Sequence, residues 1–312
     1  MKKLVLHLLL VVCGFAVAGR TQEEPVGAAD APLPAMRVNP KDGAEMVLVP
    51  AGEFLMGTSE QQLAAWLAAH PTDEREWFAD ELPQRSVYLD AYYIYKTEVT
   101  VAQYRRFCQA TGRQMAPEPS WGWQDAHPIV NVTWADATAY ADWAGVALPT
   151  EAQWEKAARG TDGRLYPWGN AWPPPVKAGN FADEACKRSG EYMGGWTFID
   201  GYDDGYAETA PVGSFPAGAS PYGVLDMAGN VWEWCADWYD PSYYKTAPTR
   251  NPSGAPAGVA SEVLPGVAVT GRVVRGGSWP PGGPRYFRCA SRLSCGPADR
   301  ADDCGFRCAR GL

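Results

Sequence analysis

Between Tyr222 and Trp238 the chain reads YGVLDMAGNVWEWCADW. Asp226 and Glu233 stand seven residues apart, with a tight bend at Ala228-Gly229-Asn230 between them. A hard cation such as calcium takes roughly six to eight oxygen ligands, and carbonyls at a bend can complete a set begun by two carboxylates. Trp232, Trp234 and Trp238 would bury the back of such a loop. The same residues also suit a plain turn, its acids in water and its tryptophans in the core. Residue types alone leave both readings open.

Other chemistries are poorly supplied. The chain has three histidines, and His7 lies in an N-terminal apolar leader. His70 and His127 cannot form a multi-histidine site, which argues against a zinc hydrolase or a facial-triad iron enzyme. A formal charge of −9 argues against a nucleic-acid partner, because phosphate binding needs clustered Lys and Arg. The leader itself runs from Lys2-Lys3 through an apolar stretch, Leu4 to Phe15, to the small residues Ala16-Val17-Ala18. Residues 1–18 read as a secretory signal, too short for a membrane span, so an exported (periplasmic or secreted) protein with no integral span after cleavage is expected. A lipoprotein signal ending at Cys13 is the other reading, though Val12 fits it poorly. Eight cysteines are present, and cleavage after Ala18 removes Cys13. An odd number then remains in a compartment that permits disulfides, so at least one thiol is free or pairs with another chain.

The elements that must position these residues are short. Gly, Pro and Trp are abundant, at 33, 27 and 14, which favours a loop-rich fold over a helical bundle. Residues 19–42 lack any hydrophobic period and read as a flexible linker. Strands are predicted at Met46–Val49, Phe54–Met56, Ser86–Tyr95, Ile129–Val132, Arg272–Arg275, Tyr286–Arg292 and Gly305–Arg310. Helices are predicted over Gln61–Ala69, after the cap Thr100 to Gly112, after Thr133 to Ala144, and after Thr150 to Gly160. Thr72–Gln84 reads as an acidic surface loop. Thr161 to Pro221 has almost no period, and a loop region of that length normally has a function or an ion to order it. Asp240–Thr270 reads as an insertion. One domain, 43–312, is the simplest organisation.

Seven blocks in this order resemble the formylglycine-generating enzyme (sulfatase-modifying factor) family. They are MVLVPAGEFLMG from Met46, YIYKTEVTVAQY from Tyr93, HPIVNVTW from His127, LPTEAQWEKAARGTDGRLYPWG from Leu148, the Tyr222–Trp238 stretch, RGGSW from Arg275 and GFRCAR from Gly305. The resemblance implies an irregular, loop-rich α+β fold related to C-type lectins, with bound calcium. It implies one calcium held by the Asp226 and Glu233 side chains and the Gly229 and Val231 carbonyls. A second would use the Asn180 side chain, the Phe181 carbonyl, the Asp204 carboxylate and the Tyr206 carbonyl. Ser278 and Trp232 match residues lining the family's substrate groove, and Trp279 could shape a pocket with them; packing in the core is the other reading.

The resemblance also shows a departure. Formylglycine-generating members bind copper(I) through two cysteines just after Gly-Gly-Ser, soft thiolates being what that ion prefers. Here Pro281 stands at the first cysteine position and no cysteine stands at the second, so copper is not expected. Cys289 and Cys308 match structural cysteines whose partner positions carry Ala141 and Ala157. Cys289 and Cys308 must then pair differently or stay reduced, and local disulfides among Cys289, Cys295, Cys304 and Cys308 are one of the two readings. Two functions follow as expectations. One is an accessory or binding role toward a protein, peptide or small molecule. In that reading Trp279–Cys304 is the display surface, on the frame Arg288, Ala290, Arg292, Pro297 and Arg300. The alternative is an oxidoreductase of the same family, acting on a peptide or a siderophore-like molecule, or a divergent cysteine-oxidising enzyme.

Overall fold

The computed structural model describes residues 33–190, 198–264, 267–280 and 283–312. The expected signal, residues 19–32 of the expected linker, and Pro281 lie outside them. Pro34–Leu312 form one unit. Its elements in order are β1 (Met36–Val38), β2 (Glu45–Val49), β3 (Gly52–Met56), α1 (Glu60–Ala69), β4 (Arg85–Leu89), β5 (Tyr92–Tyr95), α2 (Val101–Thr111) and α3 (Trp134–Ala144). Then follow α4 (Glu151–Arg159), α5 (Glu184–Ser189), β6 (Trp232–Trp238), β7 (Ala260–Leu264), β8 (Val267–Thr270), β9 (Arg272–Arg275), β10 (Leu293–Cys295), β11 (Cys304–Gly305) and β12 (Ala309–Gly311).

Local chemistry explains the helices. Ser59, Thr100, Thr133 and Thr150 each accept from the N3 backbone N–H, and Gln62, Gln103, Asp136 and Gln153 reach back to the cap. These reciprocal bonds satisfy two otherwise orphaned groups at each helix start. Gly112 and Gly145 end α2 and α3 in the left-handed conformation that glycine adopts without steric cost.

One four-stranded sheet has the order β1-β2-β5-β12, the other β10-β9-β6-β11. The central strands β2 and β5 of the first are largely buried on both faces, whereas its edge strand β1 is exposed. Met46, Tyr93 and Tyr95 point into a cluster with Phe107, Tyr140, Trp234 and Phe306. Val47, Val49, Tyr92 and Ile94 point into the other, with Val87, Trp154 and Cys235. The alternation of strand side chains therefore divides two hydrophobic clusters between the two faces.

The structure corrects several boundaries. The expected linker is ordered well before residue 42. Met36–Val38 pairs antiparallel with β2, the Asn39 amide donates to the Tyr95 hydroxyl at 2.7 Å, and Asp42 accepts from Tyr95 and Tyr140, both at 2.6 Å. Buried polar contacts hold this segment, so no apolar period marks it. Ser86–Tyr95 is two strands in different sheets, broken at Asp90-Ala91. Arg75–Glu81 forms a 3-10 helix that buries Phe78 and Glu81. Ile129–Val132 is buried but extends no sheet; its contact to Val99 is a single backbone bond. Pro284–Phe287 is a 3-10 turn, and the last expected strand splits into β11 and β12.

Candidate functional site

Left-handed backbone at Asp226 (φ 56°), Gly229 (87°) and Asn230 (63°) builds the expected bend. At Gly229 a Cβ would lie 2.3 Å from the Asn180 carbonyl oxygen, so only glycine lets the two loops meet. The Asn230 N–H donates to that same carbonyl at 2.9 Å. The Asn230 side chain donates to Glu98 Oε1 at 3.0 Å and accepts from the Ala210 N–H at 2.9 Å. Asp226 Oδ2 accepts from the Gly213 N–H at 2.6 Å. Val231 is buried directly behind the turn.

Glu233 is placed differently from the expectation. Arg307 donates to both of its oxygens, at 2.6 and 2.7 Å, and Trp154 Nε1 donates to Oε2 at 2.9 Å. Its carboxylate is a buried ion-pair partner of Arg307. Glu98, which the sequence reading passed over, takes its place beside Asp226. Glu98 Oε2 is buried with no hydrogen-bond partner among the described residues. Burial pushes the Glu98 carboxyl well above its ordinary range, and the neighbouring Asp226 charge pushes it further; burial likewise raises Asp226. The signal for Glu98 was a single acid inside the apolar run of Val99 and Val101. Glu98, Asp226, Glu233 and Arg307 are all buried. Fully ionised, three acids and one base leave two uncompensated negative charges, which suits a divalent cation or two bound protons.

Of the second expected set, Asp204 is hydrogen-bonded to the backbone of Phe181 and Tyr206. Asn180 is buried, and neither its oxygen nor its nitrogen has a partner among the described residues. Asp204 accepts from the Phe181 N–H at 2.9 Å and the Tyr206 N–H at 2.8 Å. Burial, then the charge of Asp183, pushes Asp204 up to about 7. Native structures rarely leave a buried amide wholly unsatisfied; an oxygen-seeking cation would satisfy its oxygen, and its NH2 would still need an acceptor. Among the described residues no three His, Cys, Asp or Glu side chains converge on one point. A cation in either loop therefore needs amide and carbonyl oxygens as well.

Trp232, Ser278, Pro280, Tyr286, Phe287, Leu293 and Asp303 line a cavity of about 210 Å³. Ser278 Oγ donates to Asp303 Oδ2 at 2.8 Å, and burial raises the Asp303 carboxyl. Ser278 and Trp232 thus share a wall as expected. Trp279 is buried edge-on against Trp121, centroids 5.6 Å apart, and does not line the cavity. Asp303 and Tyr286 were missed: Asp303 reads as one more acid in an acidic stretch.

The expected local disulfides are not formed; the seven described cysteines are free thiols. Cys289 packs in one hydrophobic cluster, Cys304 and Cys308 in the other. The Cys295 thiol points to Asp299 at 3.8 Å. Burial raises every one of these thiols, Cys289 and Cys295 to about 12.

Short helices and small sheets carried on long loops, beside a groove under Arg275–Trp279, define the loop-rich α+β fold of formylglycine-generating-enzyme-like proteins. Residues 33–312 match the family described as the sulfatase-modifying factor enzyme 1-like domain, and the chain belongs to that family. It is 34% identical over 333 aligned positions to a formylglycine-generating enzyme of Streptomyces coelicolor, covering 91% of this chain and 94% of that one. It is also 34% identical, over 59% of this chain and 50% of the other, to the inactive Cα-formylglycine-generating enzyme 2 of Bos taurus. Among solved structures, PvdO from Pseudomonas aeruginosa is similar at a TM-score of 0.68 and 28% identity, covering 90% of this chain and all of that one.

Proposed function

We propose that this chain is an exported, calcium-stabilised member of the family that binds its ligand in the Trp232–Ser278–Asp303 groove without copper-thiolate chemistry. The observation that carries this reading is the groove's lining: a serine bonded to a partly buried carboxyl, with no thiol among its residues. Copper(I) prefers soft thiolate ligands, and no cysteine lines the described groove. The accessory role fits a site that presents hydrogen-bonding groups and aromatic walls to a peptide or small molecule. The leader Lys2–Ala18 supports export.

Calcium would be held by Glu98 and Asp226 in one loop, and by Asn180 and Asp204 with the Phe181 and Tyr206 carbonyls in the other. When bound it supplies charge neutralisation and order. Asp303 holds the Ser278 hydroxyl in place, and Trp232 and Tyr286 exclude water from the space above it. The second reading, a divergent enzyme that oxidises a protein cysteine, is favoured by the 34% identity to a formylglycine-generating enzyme over nearly the whole chain.

One pair of titrations tests these readings on the mature chain. After chelation, added calcium is expected to raise the unfolding temperature by several degrees, and Glu98→Gln is expected to reduce that gain. An unchanged transition would remove the calcium assignment. Anaerobic copper(I), followed by oxygen and a cysteine-containing peptide, is expected to yield no aldehyde by mass spectrometry. Copper-dependent aldehyde would establish the second reading instead.

A further inference from the structure

Away from the groove, Trp66, Ala65, Ala69 and His70 of α1 and its C-cap face Leu165, Tyr166, Asn170 and Trp172 across a cavity of about 500 Å³. Each wall carries its own group of packed rings. His70 stacks on Trp66 with centroids 4.0 Å apart. Tyr166 stacks on Trp168 at 5.1 Å, and Trp172 stacks on Phe287 at 5.3 Å. We infer that this cavity is a binding site for an uncharged planar ring carrying one hydrogen-bonding group, of the phenol or indole kind.

Three observations select that chemistry. First, no carboxylate, ammonium or guanidinium lines the cavity, so nothing there would compensate a charged ligand on burial. Second, the size lies in the usual range for small-molecule sites, which are aromatic-walled with a few polar groups. Third, the polar groups are few and partly spent. The Gln62 amide is bound to Gly163, Ser59 and Gln84, and the Tyr166 hydroxyl donates to Pro284. His70 Nδ1 faces the Trp66 carbonyl at 3.1 Å, which leaves Nε2 as an acceptor. Asn170 accepts from the Leu165 N–H at 2.9 Å, and its amide nitrogen has no partner among the described residues. One acceptor and one amide donor can satisfy a single phenol or indole polar group. A sugar brings several hydroxyls, each needing a partner once buried. An added aromatic ring can also pack on these rings at the offset and edge-on spacings such rings prefer.

The test is a fluorescence and calorimetric titration of the full mature chain with p-cresol, indole and methyl glucoside. The tryptophans of the cavity are the reporters. Saturable binding of p-cresol or indole with a Kd of roughly millimolar or tighter is expected, with none for the glucoside. Ala69→Trp places bulk in the cavity from an exposed position and is expected to weaken binding at least about tenfold, a gap of ~1.4 kcal/mol. His70→Ala is expected to weaken phenol binding more than toluene binding. Unchanged unfolding temperatures establish that both variants are folded. No saturable binding by wild type, glucoside binding of equal strength, or indifference to Ala69→Trp would overturn the inference. None of these readouts depends on copper, calcium or the Ser278 groove, so this proposal and the proposed function fail separately.

Discussion

Arg307 shows how much one side chain can be asked to do. Its guanidinium holds both oxygens of Glu233 and reaches the Tyr95, Leu225 and Asp226 carbonyls. Arg307 and Glu233 are each 0% exposed, so bulk solvent does not reach the pair. Removing one partner of such a pair leaves an uncompensated buried charge, a cost of about 3–5 kcal/mol. Arg307→Met is therefore expected to destabilise the protein by that order in denaturant unfolding, with Arg307→Met/Glu233→Met recovering part of it. Recovery distinguishes loss of charge pairing from loss of packing. The carboxylate left without such a guanidinium is Glu98, and the proposed cation answers that deficit.

At the scale of elements, α4 is the junction of the molecule. Its Glu155 pairs with Arg275 and Arg159, and its Glu151 pairs with Arg292 at 2.7 Å. Trp154 from the same helix meets Glu233. The helix is set by Thr150, whose hydroxyl accepts from the Gln153 N–H at 3.2 Å while the Gln153 amide returns to the cap. Thr150→Ala is expected to cost about 1 kcal/mol, up to ~2, read as a shift of the chemical denaturation midpoint without a change of slope. This helix was fully legible in the sequence, as were α2 and α3, because caps, apolar faces and stop glycines are local signals. Tyr286–Arg292 was not. Its alternating aromatic and apolar residues mimic a strand, but Arg288 and Arg292 turn inward to Glu81 and Glu151. Pairing with acids far away in sequence overrides local pattern there. The bend at Asp226–Asn230 was legible from its glycine and asparagine, whereas the places of Glu98 and Asp303 were not, because a lone acid carries no spacing to read.

Across the whole molecule, buried acids govern the response to pH. Asp80 accepts from the Tyr239 hydroxyl at 2.7 Å beside Arg292, and burial raises it to about 6. Its unfolded value is near 3.9, so between pH 4 and 6 the native state holds more protons than the unfolded one. Stability contributed by this group is present below about pH 4 and is lost as pH rises through 6. Asp80 is partly buried, and solvent screening there reduces the full effect to roughly 1–2 kcal/mol. Asp80→Asn keeps an oxygen for Tyr239 and is expected to flatten the fall of unfolding free energy across that window. A wild-type slope retained in the variant would assign the proton uptake to another buried acid.

The inward arginines have a consequence for how the chain is made. Arg275, Arg288, Arg292 and Arg307 all belong to the stretch after Arg272, and their acids stand at Glu81, Glu151, Glu155 and Glu233. β12, from the same stretch, pairs with β5 near the start of the fold. Every acid therefore emerges from the ribosome before the base that neutralises it. The growing polypeptide therefore cannot complete these four buried pairs until synthesis has passed Arg307.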